Sequence, residues 1–353
     1  MKPSKLYLAI EEHRQRFGKN LTTMGHHYQA DKVIRHTDLR GDSLELARRV
    51  SRVDSGHIMF CGVYFMAESA ALLAQPGQQV HLPEPSAECS MAMMSPAPLL
   101  DKVLALLNSR GRKTLPLAYV NSTLAVKAAV GRHNGAVCTS ANARVMLEWA
   151  LKESDAVLFL PDRNLGRNTA ELLGLSPDEQ HVLNIKDDAD KLDLAAIHQA
   201  RLLLWPGFCS IHTRFNLRQI DRVRQEHPGV KVIVHPECTP EVVAAADQSG
   251  STSFIIRAAA ELPAGATLAI GTEINLVERL AEEHKGRITI LPLVESSCVH
   301  MAQTTEKSLG AALDALAACE KNRKDSPFLV RIPEEFKTPA KATLERMFKV
   351  CGL

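Results

Sequence analysis

The sequence predicts an α/β protein made of three pseudo-threefold-related αβα domains with parallel sheets. Three observations predict it. Short apolar runs that end in polar turns alternate with helical stretches along the chain, the pattern of βαβ units. A polar signature at the end of a strand recurs three times. Each signature is followed, after further strand–helix alternation, by a single cysteine in a turn.

In chain order, residues 1–113 form the first expected domain. A strand ends in Gly25-His26-His27-Tyr28, Gly41-Asp42-Ser43 opens a helical stretch (Leu44 to Val50), and Cys89 stands in a later turn. Residues 114–222 form the second. It contains Thr114-Leu-Pro-Leu-Ala-Tyr119-Val-Asn121-Ser122, then Thr139-Ser140-Ala-Asn opening a helix, then Ala156-Val-Leu-Phe-Leu-Pro-Asp-Arg-Asn-Leu-Gly166, and finally Cys209. Residues 223–305 form the third. There Lys231-Val-Ile-Val-His235-Pro236-Glu237-Cys238 leads into a helix over Thr239 to Asp247, and Gly250-Ser251-Thr252 follows. Thr267-Leu-Ala-Ile-Gly-Thr-Glu273 then precedes a helix over Ile274 to His284, and Cys298 closes the repeat. Residues 306–353 read as a helical segment with no assigned docking place.

The interval from signature to cysteine is 63 residues from His26 to Cys89 and 63 from His235 to Cys298. In the middle repeat it is 88, from Asn121 to Cys209. The excess falls on the polar stretch Ser176 to Ala200, including Lys186-Asp-Asp-Ala-Asp-Lys, which reads as a surface insertion.

Composition excludes several classes. Hydrophobic content of 45% and charged content of 23% in 353 residues are those of a globular protein. A net charge of +2 lacks the basic excess of a nucleic-acid binder. No apolar run approaches the roughly 18 residues of a membrane span. The first residues place Glu11 and Glu12 where a signal peptide needs an apolar core, so a cytoplasmic location is expected. In that reducing compartment the eight cysteines, dispersed at 61, 89, 138, 209, 238, 298, 319 and 351, are core residues, nucleophiles or metal ligands.

In parallel α/β folds the chemistry gathers beyond the carboxyl ends of the strands. Three loops bringing Cys89, Cys209 and Cys298 to one axis would suit an iron–sulfur cluster or a zinc ion. Three thiolates on a cubane leave one iron open as a Lewis acid. A zinc site would recruit His212 from Cys209-Ser-Ile-His212, but it lacks the close cysteine pair common in such sites. Ser43, Ser140 and Thr252 stand at helix starts, one per repeat, where backbone N–H groups and hydroxyls receive carboxylate or phosphate. Ordinary helix capping is the plainer reading of each alone. His235 and Glu237 at a strand tip offer a base and a carboxylate.

These stretches resemble the quinolinate synthase family. The resemblance rests on Gly25-His26-His27-Tyr28-Gln29, Gly41-Asp42-Ser43, Cys61-Gly-Val-Tyr-Phe-Met66, Ala87-Glu88-Cys89 and Tyr119-Val-Asn121-Ser122. It continues through Pro161-Asp-Arg-Asn-Leu-Gly166, Gly207-Phe-Cys209-Ser-Ile-His212, His235-Pro-Glu237-Cys238, Gly250-Ser-Thr252 and Cys298-Val-His-Met301. It implies three αβα domains in a triangle around one 4Fe-4S cluster, with three cysteine ligands (Cys89, Cys209, Cys298) and one open iron. The implied reaction condenses iminoaspartate with dihydroxyacetone phosphate to quinolinate, phosphate and water, on the way to NAD.

The same resemblance implies that His26, Ser43, Ser140 and Thr252 hold substrate phosphate or carboxylates. Tyr28, His235 and Glu237 would handle protons, and Tyr119 and Asn121 would sit by the open iron with His212 nearby. An iminoaspartate supplier, L-aspartate oxidase or aspartate dehydrogenase, is the implied metabolic partner; no nucleic acid or membrane is expected. Family members with a Cys-x-x-Cys-x-x-Cys run at the third ligand are not matched here. Ser296 and Ser297 precede Cys298, which removes the basis for a thiol–disulfide switch. Two rival classes remain: a dicarboxylate-binding protein, which leaves the cysteines unused, and an iron–sulfur regulator, which leaves His235 and Glu237 unused.

Overall fold

A computed structural model describes residues 3–109, 111–186, 189 and 192–353. Its first series of elements runs α1 (Lys5–Phe17), β1 (Leu21–His26), α2 (Asp31–Ile34), β2 (Leu39–Gly41), α3 (Ser43–Val50), β3 (His57–Cys61), α4 (Tyr64–Leu73) and β4 (Gln79–His81). The second runs α5 (Ala97–Asn108), β5 (Thr114–Tyr119), α6 (Leu124–Arg132), β6 (Ala136–Cys138), α7 (Ala143–Glu153), β7 (Ala156–Leu160), α8 (Arg163–Leu172), β8 (Gln180–Val182), α9 (Leu194–Gln199) and β9 (Leu202–Leu204). The third runs α10 (Leu217–Glu226), β10 (Lys231–Val234), α11 (Pro240–Ala245), β11 (Gln248–Ser249), α12 (Thr252–Glu261), β12 (Thr267–Gly271), α13 (Ile274–Glu283) and β13 (Thr289–Pro292). Helices α14 (Glu306–Asn322) and α15 (Glu334–Val350) end the chain.

The strands form three separate sheets, and every pairing in them is parallel. Their orders are β2-β1-β3-β4, β6-β5-β7-β9-β8 and β11-β10-β12-β13. Each sheet thus places its first strand inside, its second at an edge, and its third and fourth on the other flank. Helices cover both faces of the middle sheet, and every residue of its inner strands β5 and β7 is buried. The sequence repeat is a repeat of topology.

The middle sheet has one strand more. The stretch expected as a surface insertion supplies it: β8 pairs with β9 at the sheet edge, and α9 follows. Alternating apolar residues in Gln180-His-Val182 are too few to announce a strand; the unpaired edge of β9 selects it. Asp187, Asp188, Asp190 and Lys191 of the polar run lie outside the described residues.

The chain clusters into two compact units. One comprises Met1–Cys89, Glu273–Arg279 and Ser297–Ile332; the other comprises Ser90–Thr272, Leu280–Ser296 and Pro333–Leu353. The first sheet lies in the former, the second and third in the latter. The C-terminal segment divides between them. In the first unit α14 packs on α1, burying Leu309 and Leu313 with Ile10 and Phe17. In the second, α15 lies along α6 and β6. Their approach is so close that a Cβ at Gly131 would meet Pro339 O at 2.0 Å, so only glycine permits it. Among the described residues no helix is long and apolar enough to cross a membrane.

Candidate active site

The site residues occupy corresponding places in the three sheets. The inner first strands end in His26, in Tyr119 with Asn121 just beyond it, and in Val234 before His235. The edge second strands β2, β6 and β11 lead to Ser43, Ser140 and Thr252. The cysteines follow the last strand of each series, β4, β9 and β13. Each stands three residues before a single turn of 3-10 helix, at Ala92–Met94, His212–Arg214 and Met301–Gln303.

Cys89, Cys209 and Cys298 are half-buried, and all eight cysteines keep reduced thiols. Cys319 on α14 and Cys351 at the end of α15 are also half-buried, while Cys61, Cys138 and Cys238 are buried. Burial pushes the thiols of Cys61 (up to about 12) and Cys138 upward, and burial with the nearby Glu237 charge does so for Cys238. Half-exposed thiols on loops beyond strand ends are the set that suits metal binding.

In the unit that holds the first sheet, the loop after β1 is tightly fixed. His26 is 5% exposed; its Nδ1 accepts from Tyr28 N at 3.1 Å and its ring meets Tyr28 edge-on at 4.7 Å. The Arg279 guanidinium donates to His27 O (2.8 Å), Gln29 O (2.6 Å) and Asp31 Oδ1 (2.7 Å), and Asn275 Nδ2 donates to Tyr28 O at 3.3 Å. Nearby, Cys298 N donates to Glu273 Oε1 at 3.4 Å. Burial raises Glu273 to about 7, against hydrogen bonds from Asn275, Cys298 and Leu276 that favour its charge.

The helix-start hydroxyls resolve into two positions. Asp42 makes the capping bond of α3, accepting from Glu45 N at 2.9 Å, and leaves Ser43 at the first helical position. Ser251 likewise caps α12 through Phe254 N, leaving Thr252 first in the helix, 3% exposed, with its Oγ1 buried and unbonded among the described residues. Ser140 differs from expectation: α7 begins at Ala143, and Ser140 sits in the turn before it. Asn142 causes this, its Oδ1 accepting from Thr139 N at 2.7 Å and so closing the turn ahead of the helix.

The densest polar cluster lies in the other unit. His235 N continues the sheet by donating to Gly271 O. Cys238 N then closes a turn on His235 O, and Pro240 opens α11, where a missing N–H costs nothing. Glu237, 2% exposed, receives the turn's focus. His212 Nδ1 lies 2.5 Å and His235 Nδ1 3.6 Å from Glu237 Oε2, and the Tyr119 hydroxyl is hydrogen-bonded to the same carboxylate. The His212 and His235 rings stack at 4.3 Å, and His212 Nε2 contacts Thr272 Oγ1 at 3.1 Å. Burial alone would raise Glu237. The His212 and His235 rings and the hydrogen bonds from His212 and Tyr119 outweigh it and hold the carboxyl down at about 2. Burial, helped by His212, lowers His235 to about 3, so it is neutral; its Nδ1 accepts from Glu237 N at 3.4 Å.

A Cys209 sulfur, a His212 nitrogen and a Glu237 oxygen lie within 4.8 Å of one another, a donor set able to hold a metal ion. Cys209 N donates to the buried Asp162, which also caps α8. Burial and the Glu237 charge push Asp162 up; backbone donors at 164, 165 and 209 oppose them. His212 presents its Nδ1 to Glu237 and its Nε2 to Thr272. Asn121 Oδ1 is buried without a partner among the described residues, while Lys127, fully buried, donates to the next carbonyl, Ser122 O, at 2.5 Å. Sequence reasoning missed Asp162, Glu273 and Lys127. The first two each stand two residues past the third strand of their sheet, and that shared offset was the available signal.

The fold and this site define an α/β enzyme whose polar groups gather beyond the carboxyl ends of parallel strands. Residues 9–349 match the family model described as quinolinate synthetase A protein. The chain is 43% identical to the quinolinate synthase of Corynebacterium glutamicum, over 98% of this chain and 88% of that one. It is 41% identical to those of Geobacillus kaustophilus (99% and 95% covered) and Halalkalibacterium halodurans (96% and 91% covered). The chain belongs to the quinolinate synthetase A family.

Proposed function

We propose that the protein condenses iminoaspartate with dihydroxyacetone phosphate, releasing quinolinate, phosphate and water, in the route to NAD. The observation that carries this reading is the buried Tyr119–Glu237–His212 network beside Cys209, in a chain of this family. Cys89, Cys209 and Cys298, in equivalent places of three repeats, would hold one 4Fe-4S cluster in a pseudo-threefold assembly of αβα domains bounded as the sequence suggests. When bound, such a cluster supplies an iron without a protein thiolate, a Lewis acid for a hydroxyl or carboxylate oxygen.

The chain's own residues do the rest. Glu237 is a carboxylate and accepts protons; Tyr119 and Asn121 orient the hydroxyl that departs; His212 fixes Glu237. Neutral His235 relays a proton, and Tyr28 supplies a phenol for proton transfer. His26, Ser43, Ser140 and Thr252 receive phosphate and carboxylates, Thr252 with an Oγ1 that is unbonded among the described residues. Iminoaspartate would come from an aspartate oxidase or dehydrogenase, and a thiolate-bound cluster favours the reducing cytoplasm.

The test is anaerobic purification followed by iron and sulfide analysis and a quinolinate assay. We expect about four irons per chain and quinolinate formed from the two substrates. A protein with cluster but no quinolinate formation would return the regulator reading. Dicarboxylate binding without iron would return the binding-protein one.

A further inference from the structure

Two asparagines one helical turn apart on α8, Asn164 and Asn168, are 2% and 3% exposed. Both side chains reach the turn that carries Glu237. Asn168 Nδ2 donates to Pro236 O and to Cys238 O, each at 2.8 Å, and Asn164 Nδ2 donates to Glu237 O at 3.4 Å. Three consecutive carbonyls are therefore held by one face of one helix, since residues four apart share a face.

The helix is itself anchored. Asp162 Oδ1 accepts from Asn164 N and Leu165 N at 2.8 Å, and its Oδ2 accepts from Cys209 N at 3.1 Å. Gly166 lets α8 lie close on the sheet, for a Cβ there would meet Leu204 Cδ2 at 2.4 Å. Satisfying buried carbonyls is the ordinary task of a buried amide. Asn168 Oδ1 has no partner among the described residues, so the side chain meets this turn through its Nδ2 alone. What the pair uniquely provides is a fixed position for the residue between the two clamped carbonyls.

We propose that Asn164 and Asn168 are positioning residues that lock the His235–Cys238 turn and hold the Glu237 carboxylate against Tyr119 and His212. The proposal rests on the reading of Glu237 as the base of the condensation. Its test uses Asn168→Leu, which keeps the volume and removes the donors, with Asn164→Ala as the milder second variant. In amide hydrogen exchange on the whole protein, residues 235–239 should exchange at least about tenfold faster in Asn168→Leu, while β10 and β12 keep their protection.

In turnover, kcat should fall toward the roughly hundredfold that a 1 Å misplacement costs, with KM within about threefold. In a Glu237→Gln background the same change should cost nothing further, because the asparagines act through Glu237. Asn168→Asp, which turns acceptors toward the carbonyls, should be as damaging as Leu. Unchanged exchange at 235–239 overturns the proposal, as does loss of β10 protection together with the turn. So does a kcat penalty that adds in full to that of Glu237→Gln. If Asn168→Leu does not fold, Asn164→Ala carries the same arms with a smaller effect. A wild-type protein that forms no quinolinate overturns the functional reading instead, and the exchange result still decides whether the asparagines hold the turn.

Discussion

Eight cysteines of one chemical type have separate fates because their surroundings differ. Cys61, Cys138 and Cys238 are fully buried and held as neutral thiols, whereas Cys89, Cys209 and Cys298 stand half-exposed ahead of equivalent 3-10 turns. Replacing any of the latter three by Ala should abolish iron and sulfide retention. Replacing Cys61, Cys138, Cys238, Cys319 or Cys351 by Ala should leave it intact, as read by the visible absorption band. A full complement of iron in Cys209→Ala would contradict the assignment. Neighbouring hydroxyls separate in the same way. Ser251 makes the capping bond of α12, so Ser251→Ala should lower stability by about 0.5–2 kcal/mol. Thr252→Val removes an oxygen that bonds to none of the described residues. It should leave the melting temperature unchanged or higher and weaken quinolinate or phosphate binding in calorimetry. A Thr252→Val protein with wild-type affinity for both would reduce Thr252 to packing.

At the scale of elements, close approach decides what propensity cannot. Gly131 lies inside α6, where replacing glycine by alanine ordinarily gains about 0.5–1 kcal/mol. Here the added Cβ would stand 2.0 Å from Pro339 O, and backbone cannot yield cheaply. The overpacking term, about 1–3 kcal/mol, wins. Gly131→Ala should lower the melting temperature by parting α15 from α6, and a stabilised variant would show that the two helices do not pack as described. A second element-level device joins β3 to β4. His57 Nδ1 and His81 Nε2 lie 3.2 Å apart, and His81 is fully buried. Burial, with the His57 ring beside it, lowers His81 to about 4, while Asp325 opposes weakly. Burial also lowers His57, against Glu320.

That pair sets a dependence felt by the whole molecule. Below its ordinary pKa near 6.5 an unfolded His81 takes a proton that the folded one refuses until about pH 4. The unfolded chain binds more protons in this window, so stability is present above about pH 6.5 and is lost as pH falls toward 4. The loss is of order 3 kcal/mol. His81→Asn, which cannot titrate, should flatten that slope in denaturant melts between pH 7 and 4.5. An undiminished slope would assign the acid sensitivity to other groups.

Much of this protein was legible before any fold was known. Strand–helix alternation, the repeated order of the first strands in each sheet, one cysteine per repeat and the helix starts at Ser43 and Thr252 are local patterns, written in neighbouring residues and in fixed intervals such as 63. A strand must be apolar to be buried on both faces, and a helix start must offer a cap, so composition along a short window suffices. The extra edge strand β8 was not legible, because three residues carry too little pattern to prefer pairing over loop. Nor were the acts of Asp162 on Cys209, of Asn168 on Pro236 and Cys238, or of His212 on Glu237. Those partners lie 25 to 70 residues apart in the chain. The sequence by itself determined which residue types stand at the strand tips. Tertiary structure alone decided which tips face each other, because the burial and neighbouring charge that make Glu237 a carboxylate and His235 neutral exist only once distant loops share one desolvated space.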